Sequence, residues 1–369
     1  MSKSSSQVIH VLNMNSLGGA ESLVKALLNS QDFSTHRVFY IANNRFSEFM
    51  FKKSKLRILI ILKAAFILTI KIIRHDKHKN VFIFHLAECH LIYQIISYLL
   101  PLKKMETVFI GYIHQSPKLY PKKLKKNVKS CALKADGIIY YSSQVKKAWD
   151  LDILFGISYR SSVIHNFVSN QFFNFRNLDN FEDKNYFQVI FIGRNTPWKR
   201  PELAYELAKL IAKKGIRVKL KFLGLSQREG DLFIEKDLNP NLEIDFCGKV
   251  YNPISFLLES DIMFYLVDQD ISEEGVGIAV MEALALGIPV VVTNKYKSDF
   301  SNLDLLIDLK DFTNQVNKFE SNKLIEYLRS LRIRDSVVSK TTNLFTFENY
   351  NKQLFDFTSQ IIFEKANSR

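Results

Sequence analysis

The chain has 369 residues, 47% of them hydrophobic and 24% charged, and its formal net charge is +14. This length and apolar content predict two domains, each able to bury its own core. The three cysteines are odd in number, far apart and in no C-x-x-C pair. They therefore support neither a disulfide framework nor a zinc site, and they favour a reducing cytoplasm.

The positive charge is confined to the first half of the chain. Residues 1–180 contain 26 lysines and arginines against 10 aspartates and glutamates, a net charge of +16 that leaves −2 for the remainder. Such a basic surface predicts a polyanionic partner, with membrane phospholipid, a lipid pyrophosphate and nucleic acid as candidates. Residues 1–7 lack an apolar signal core, so export is not expected.

Strand and helix patterns alternate along the first half, which is typical of a doubly wound α/β sheet. The predicted strands are 8–13, 37–42, 81–84, 107–113 and 137–141, and the predicted helices are 20–28 and 91–100. Residues 170–186, rich in Asn, Asp and Phe, form the best linker candidate.

A second alternating series follows the linker and predicts a second Rossmann-like domain. Its predicted strands are 187–193, 218–224, 243–247, 261–267 and 290–292, and its predicted helices are 201–214, 231–237, 253–259 and 278–286. Residues 347–366 predict a long terminal helix.

Two carboxylates flank a Gly-x-Gly turn in Glu274-Gly275-Val276-Gly277-Ile-Ala-Val-Met-Glu282. The turn follows a predicted strand and opens an apolar helix, so Glu274 is expected at the sheet edge where open α/β folds bind ligands. Glu282 is the one polar residue of that helix, and an ionised Glu there costs several kcal/mol unless a ligand partners it. The alternative is a Glu on a narrow solvated stripe.

Two cations stand five positions apart in Gly193-Arg194-Asn-Thr-Pro-Trp-Lys199, after a predicted strand and before a helix that starts with proline. A guanidinium and an ammonium near a positive helix end can hold a diphosphate. Solvated surface is the alternative for either residue alone.

Histidines and glycines also occur at predicted strand ends. His114 follows the strand 107–113, and His85 follows the strand 81–84, while His10 lies within the first strand. Gly18 and Gly19 open the first helix, but they do not match the G-x-G-x-x-G dinucleotide fingerprint. A lone histidine is more often structural. His114 is nevertheless the preferred candidate because it lies at the carboxyl edge of the predicted sheet, and His85 is the weaker one.

Together these segments resemble the retaining glycosyltransferases of family 4, which have the GT-B fold and an E-x7-E motif. The resemblance implies two Rossmann-like α/β domains facing a central cleft, with the terminal helix crossing back onto the first domain. The implied domains are residues 1–172 with 348–369, which would bind the acceptor, and residues 173–347, which would bind a nucleotide-sugar.

The resemblance also implies roles for residues of the second domain. Glu274 would contact the donor sugar and Glu282 the ribose, while Arg194 and Lys199 would bind the diphosphate. Further donor contacts are implied for Gly193, Gly275, Val276 and Gly277, and for Val250 beside the base.

In the first domain the resemblance implies that His114 reaches the donor sugar and that Gly18 and Gly19 approach the phosphate or the acceptor. Asn166 matches a binding position in Ile164-His-Asn-Phe-Val-Ser169, but Phe167 replaces the family's glycine and Ser169 its aspartate. The family's Gly-Gly and Glu after the strand 290–292 are also absent.

Two basic tracts account for the charge of the first half. One is the predicted helix 55–73, which is strongly apolar but interrupted by Arg57, Lys63 and Lys71, and the other is 118–134. The first suits a helix that lies in a membrane interface, since a charge at mid-bilayer costs about 3 kcal/mol. An ordinary packing helix and solvated loop charge are the alternatives.

The resemblance implies a retaining, metal-independent hexosyltransferase-type enzyme without a cofactor. Its donor would be a nucleotide-diphosphate-sugar and its acceptor a lipid-linked saccharide, in bacterial O-antigen, capsule or exopolysaccharide synthesis. The predicted location is cytoplasmic, peripheral on the anionic inner face of the membrane, without a nucleic-acid partner. The alternatives are a nucleic-acid-binding protein, a GT-B-like interaction protein without turnover, and a GT-B epimerase or phosphorylase.

Overall fold

The structure, a computed structural model, describes residues 7–14, 23–24, 26–28, 36–42, 54–75, 80–102, 105–173, 185–235, 239–268, 270, 276–293, 305–331 and 344–367. The chain divides into two compact units. The first comprises residues 1–167 and 347–369, and the second comprises residues 168–346. As the sequence predicts for its first domain, the C-terminal helix belongs to the first unit.

The first unit is built on a six-stranded parallel sheet with the strand order β2-β1-β3-β4-β5-β6. Its strands are β1 (Val8–Met14), β2 (His36–Ala42), β3 (Val81–His85), β4 (Val108–Ile113), β5 (Gly137–Tyr140) and β6 (Ser161–Val163). Its helices are α1 (Ser54–His75), α2 (Leu86–Leu99), α3 (Lys122–Lys134) and α4 (Ser143–Asp152), with the C-terminal helix described below.

The central strands of this sheet are buried on both faces, because helices cover both sides of a parallel sheet. Every residue of β3 and β4 is buried. Gly111 of β4 allows one covering helix to approach closely, since a Cβ there would lie 2.8 Å from the Sγ atom of Cys131 in α3. At the end of β3, helix α2 begins at Leu86 with a left-handed φ of +66°, which turns the chain sharply after His85.

The C-terminal helix, α11 (Phe347–Asn367), packs on the sheet of the first unit. Near its end the Lys365 ammonium donates hydrogen bonds to Asp136 Oδ2 and to the Thr107 carbonyl, both at 2.9 Å. Asp136 also accepts the backbone N–H of Phe109 at 2.8 Å. This largely buried ion pair therefore joins the helix to the starts of β4 and β5.

The second unit contains another six-stranded parallel sheet, with the order β12-β11-β10-β7-β8-β9. Its strands are β7 (Phe187–Ile192), β8 (Val218–Leu223), β9 (Leu242–Gly248), β10 (Ile262–Tyr265), β11 (Val290–Val292) and β12 (Leu306–Asp308). Its helices are α5 (Pro201–Ala212), α6 (Gln227–Gly230), α7 (Ile254–Leu258), α8 (Ile278–Ala285), α9 (Leu309–Lys318) and α10 (Ser321–Ser330).

The helix predicted at 231–237 is wrong over residues 231–235, which are not helical, and residues 236 and 237 lie outside the described residues. The structure has the single turn α6 just before it, where Ser226 and Glu229 form a capping box that satisfies the first backbone N–H groups. A capping box marks a helix start, and residues 231–233 only continue as turns. Across the part of the chain that the structure describes, no helix is long and apolar enough to cross a membrane.

Replacing Lys365 with methionine should destabilise the first unit by about 2–3 kcal/mol, because it leaves the Asp136 carboxylate largely buried without its cation. Methionine keeps the stem volume, so packing loss contributes little. Urea denaturation of the first unit measures the change, with Lys352→Met on the exposed side of the same helix as the control. Equal stability of the two variants would contradict a structural role for this ion pair.

Candidate functional site

The carboxyl ends of the central strands in the second unit carry glycines that bring neighbouring loops together. The Gly193 N–H donates to the Leu223 carbonyl at 3.0 Å, and the Gly224 N–H donates to the Gly248 carbonyl at 2.6 Å. Gly224 has a φ of +100°, and a Cβ there would lie 2.3 Å from the Gly193 oxygen. Only glycine fits such an approach, so the loops after β7, β8 and β9 form one continuous edge.

Lys199 lies in the loop after β7, at this edge. Its ammonium donates a 2.7 Å hydrogen bond to the Tyr265 hydroxyl and stands 4.5 Å from the centroid of the same ring. The Tyr265 hydroxyl also approaches Gly277 so closely that a Cβ there would lie 2.3 Å away. Gly277 is the N-cap of α8. Tyr265 therefore sets the lysine beside a helix N-terminus, where cation and backbone N–H groups both favour an anion.

Backbone contacts hold the loop of Arg194 and Lys199 against its neighbours. The Asp268 N–H donates to the Trp198 carbonyl at 2.7 Å, which ties the loop after β7 to the loop after β10. The Thr293 hydroxyl donates to the Val267 carbonyl at 2.9 Å, which adds the loop after β11. Arg194 is exposed and forms no ion pair with any residue that the structure describes.

Glu282 lies on α8, in the second turn after Gly277. Its side chain is partly buried among apolar residues, and it has no hydrogen bond or ion pair to any described residue. This desolvation raises its carboxyl pKa from 4.5 to about 8. A carboxyl group without a partner among the described residues is available to a ligand hydroxyl, and a ligand role for Glu282 stays a prediction.

The other predicted contacts of the second unit divide into two groups. Val276 is buried, and Val250 packs against the same apolar cluster, so their side chains stabilise the fold and only their backbone groups remain for a ligand. Glu274 and Gly275 lie outside the described residues, as do Gly18 and Gly19 of the first unit. Their proposed roles stay predictions.

His114 follows β4 in the first unit and is stacked on Tyr112, with the ring centroids 4.1 Å apart. Its Nε2 atom lies 2.7 Å from Nδ1 of His85, the last residue of β3. Asn166 is buried nearby, and its Oδ1 atom accepts a 3.2 Å hydrogen bond from the Tyr112 hydroxyl. The Asn166 amide oxygen is therefore engaged by the protein, and a ligand role for this residue stays a prediction.

Tyr265 is the site residue that the sequence analysis missed. In the sequence Tyr265 is one of several apolar strand residues. Nothing there shows that β10 pairs with β7, which is what brings Tyr265 next to Lys199. Its place at a strand end, one loop before the Gly-x-Gly turn, is the signal that could have indicated it. Among the residues that the structure describes, no group of three or more His, Cys, Asp or Glu side chains is arranged to hold a metal ion.

Part of the chain is similar in sequence to a known protein family. The family model described as glycosyl transferases group 1 matches residues 173–299, about a third of the chain. No curated protein matches the sequence.

Solved structures match nearly the whole chain. Sucrose-phosphate synthase from Thermosynechococcus elongatus has a TM-score of 0.66 at 15% identity, covering 96% of this chain and 99% of that one. Anabaena HepE, solved in complex with UDP-glucose, has a TM-score of 0.66 at 14% identity with the same coverages. Trehalose 6-phosphate synthase from Burkholderia multivorans has a TM-score of 0.65 at 11% identity and covers 99% of both chains.

The chain thus has the GT-B fold, an α/β architecture of two Rossmann-like domains with parallel sheets. The expectation for the fold class is confirmed. The region that matches the group 1 glycosyl transferases contains Gly193, Arg194, Lys199, Tyr265, Gly277 and Glu282. The sequence match and the candidate site therefore lie in the same unit.

Replacing Glu282 with glutamine should stabilise the second unit, and the gain should grow with pH. Because the folded protein raises the Glu282 pKa to about 8, the folded state holds a proton that the unfolded state releases above 4.5. The free energy of unfolding of the wild type therefore falls as the pH rises from 4.5 to about 8, by at most about 1.4 kcal/mol per pH unit. Glutamine does not titrate, so the advantage should be smallest near pH 4.5 and constant above pH 8.

Urea denaturation across this pH range measures the difference in the free energy of unfolding. Glu326→Gln, at an exposed position of α10, is the matched control for the exchange of a carboxyl group for an amide. A difference between Glu282→Gln and the wild type that does not change with pH would contradict a desolvated Glu282 carboxyl.

Proposed function

We propose that this protein is a retaining glycosyltransferase that moves a sugar from a nucleotide-diphosphate-sugar to a hydroxyl group of a saccharide. The observation that carries the proposal is the arrangement of Lys199, Tyr265 and Gly277 at one sheet edge, with the exposed Arg194 in the same loop as Lys199. Two cations beside a helix N-terminus fit a diphosphate. The Glu282 carboxyl, which has no partner among the described residues, fits the hydroxyl groups of a ribose.

The proposed reaction follows from this placement. The bond between the sugar C1 atom and the diphosphate oxygen breaks, and the electron pair leaves with the nucleoside diphosphate. Lys199 and Arg194 stabilise the charge that grows on this leaving group. The acceptor oxygen bonds to C1 on the same face, and its proton passes to the leaving phosphate. The proposed route uses neither a metal ion nor a cofactor.

The resemblance to family 4 glycosyltransferases assigns two further residues to the proposed reaction. Glu274 would hold the donor sugar through its hydroxyl groups. His114 of the first unit would act on the same sugar near its reacting carbon.

Nucleoside diphosphates should stabilise the protein and bind to the second unit. Lys199→Ala and Arg194→Ala should each weaken binding by about ten- to a hundredfold, because each removes a charge-assisted hydrogen bond worth about 1.5–3 kcal/mol. Thermal shift with a panel of nucleoside diphosphates identifies the base, and calorimetry then gives the affinities. Measurements with and without a chelator test the metal independence.

Lys213→Ala is the matched control, since Lys213 is exposed at the opposite end of the helix that begins after Lys199. It should bind as the wild type does. Absence of stabilisation by every nucleoside diphosphate would sink the proposal. Binding without sugar transfer to any saccharide would favour the interaction protein without turnover, and salt-sensitive binding to RNA or DNA alone would favour the nucleic-acid-binding alternative.

The acceptor is proposed to be a lipid-linked saccharide in bacterial surface polysaccharide synthesis, reached at the cytoplasmic face of the membrane. The supporting observation is the surface of α1, where large apolar side chains are exposed: Ile58, Leu59, Leu62, Phe66 and Ile73 are 48–64% exposed. Lys63, Lys71 and Arg74 are exposed on the same helix. Apolar side chains interspersed with cations are typical of a helix that inserts into an anionic membrane interface.

The lysines of α3 extend this surface. Helix α2 packs against both α1 and α3, so the three helices lie side by side on one face of the sheet. Lys122, Lys123, Lys126 and Lys129 of α3 are exposed. The positive charge that the sequence confines to the first half is therefore concentrated partly on the helix layer that carries the exposed apolar side chains.

The protein should bind vesicles that contain anionic phospholipid, and Phe66→Glu should weaken that binding at least tenfold, because it places a carboxylate in the apolar contact. Phe363→Glu changes an equally exposed phenylalanine on α11 and should bind as the wild type does. Flotation with neutral and anionic vesicles measures both. Binding that ignores the anionic lipid, or equal losses in the two variants, would contradict membrane docking through α1.

A further inference from the structure

Four neighbouring strands of the first sheet each place a histidine on the same face. The partner of His36 in β2 is Val8, and His10 stands two residues further along β1. The partner of His10 is Ile83, and His85 stands two residues further along β3. The partner of His85 is Tyr112, and His114 follows two residues later. Because side chains alternate with a period of two, each step is a diagonal neighbour on one face.

The four imidazoles are joined by hydrogen bonds into one chain, which we call the histidine chain. Its links are His36 Nδ1 to His10 Nε2 at 3.0 Å, His10 Nδ1 to His85 Nε2 at 2.9 Å, and His85 Nδ1 to His114 Nε2 at 2.7 Å. Asn351 of α11 closes the far end, with its Oδ1 atom 3.4 Å from His36 Nε2. The chain thus runs from the C-terminal helix to His114.

Asn351, at the far end of the histidine chain, sets the direction of its hydrogen bonds. The amide oxygen of Asn351 can only accept, so His36 must carry its proton on Nε2 and accept on Nδ1. A neutral imidazole has one N–H, so His10 and then His85 must each donate from Nε2 toward Asn351. His114 must likewise donate from Nε2 to His85. Its Nδ1 atom, which has no hydrogen bond to a described residue, is left as a lone pair.

The imidazoles are neutral because the protein desolvates them. Burial lowers the pKa values of His10 and His85 well below 6.5 and also lowers that of His36, and each of these rings is almost completely buried. Burial lowers the pKa of the partly exposed His114 to about 3. The ionisable groups that contribute to these shifts are members of the histidine chain and His90 of α2, and Asn351 raises the pKa of His36. No described carboxylate contributes.

A purely structural need does not account for this arrangement. Four apolar side chains would fill the same space without the cost of removing polar groups from water. A half-satisfied network is also worse than an apolar core, so a chain of this length is stable only when every link is made. Unlike an apolar core, the histidine chain can fix which nitrogen of the His114 ring carries the proton.

We propose that His85, His10, His36 and Asn351 are positioning residues that fix His114 as the Nε2–H tautomer, so that its Nδ1 atom can only accept a hydrogen bond. In the proposed glycosyltransferase, His114 would accept a hydrogen bond from a substrate hydroxyl group near the reacting carbon. This second statement rests on the proposed function. The tautomer itself is a property of the free protein and does not depend on any substrate.

Nitrogen NMR of the full-length protein with ¹⁵N-labelled histidine rings tests the tautomer directly, with His114→Gln used to assign the His114 signals. The wild type should show a protonated Nε2 and an unprotonated Nδ1 for His114. Asn351→Leu removes the acceptor that sets the direction and should give a mixture of His114 tautomers. Asn351→Asp keeps an acceptor and should restore the wild-type pattern.

Gln360→Leu, at an exposed position of the same helix, is the matched control and should leave the tautomer unchanged. A His114 that carries its proton on Nδ1 in the wild type would overturn the proposal, as would a wild-type pattern in Asn351→Leu. Because Asn351→Asp reports on the same link, the test does not depend on one variant folding.

Kinetics separate this proposal from the proposed function. Asn351→Leu should lower kcat on the order of tenfold, because an unfixed tautomer weakens one hydrogen bond from His114 to the substrate. It should leave the affinity for the nucleoside diphosphate unchanged, because the diphosphate contacts are proposed for the second unit. Failure of nucleoside diphosphate binding in the wild type counts against the glycosyltransferase alone, whereas an unfixed tautomer counts against the histidine chain alone.

Discussion

The parallel direction of the strands is the constraint on which the rest of this structure depends. Every strand pair that the structure describes in either sheet is parallel, so the carboxyl ends of all strands in one sheet meet at one edge. In the second unit this edge gathers Lys199, Tyr265 and Gly277, which come from three separate segments. In the first unit it places His85 and His114 side by side. Residues that are far apart in sequence are thereby brought within hydrogen-bond distance.

Both candidate sites place polar groups where stability alone would favour apolar ones. Glu282 carries a desolvated carboxyl in an otherwise apolar helix, and the histidine chain occupies three buried positions of a sheet and ends at the partly exposed His114. Proteins lie only slightly above the stability that they need, so such groups persist when they serve another purpose. The Lys365–Asp136 pair and the extensive burial of β3 and β4 offset part of that cost in the first unit.

The secondary structure was predictable wherever the apolar pattern was long and bounded by clear signals. Helix α8 ends within one residue of its expected position because Gly287 follows it with a left-handed φ of +77°. The short turn α6 was misplaced because the pattern of 231–237 mimics a helix, while the capping box at Ser226 decides where the helix starts. Arg194, Lys199 and Glu282 could be singled out as candidates because charged residues stand out against apolar surroundings in any sequence.

The sequence by itself determined which residues are apolar, charged or turn-forming, and this was enough for the α/β class and the two domains, and to single out the two cations of the proposed diphosphate site. Only the tertiary structure decided that Tyr265 holds Lys199 beside Gly277 and that His36, His10, His85 and His114 form one chain. The reason is physical. A pattern with a period of two tells which residues of one strand share a face, but the order and register of strands depend on packing between distant segments. A one-residue shift in any of these strands would turn its histidine to the opposite face and break the chain.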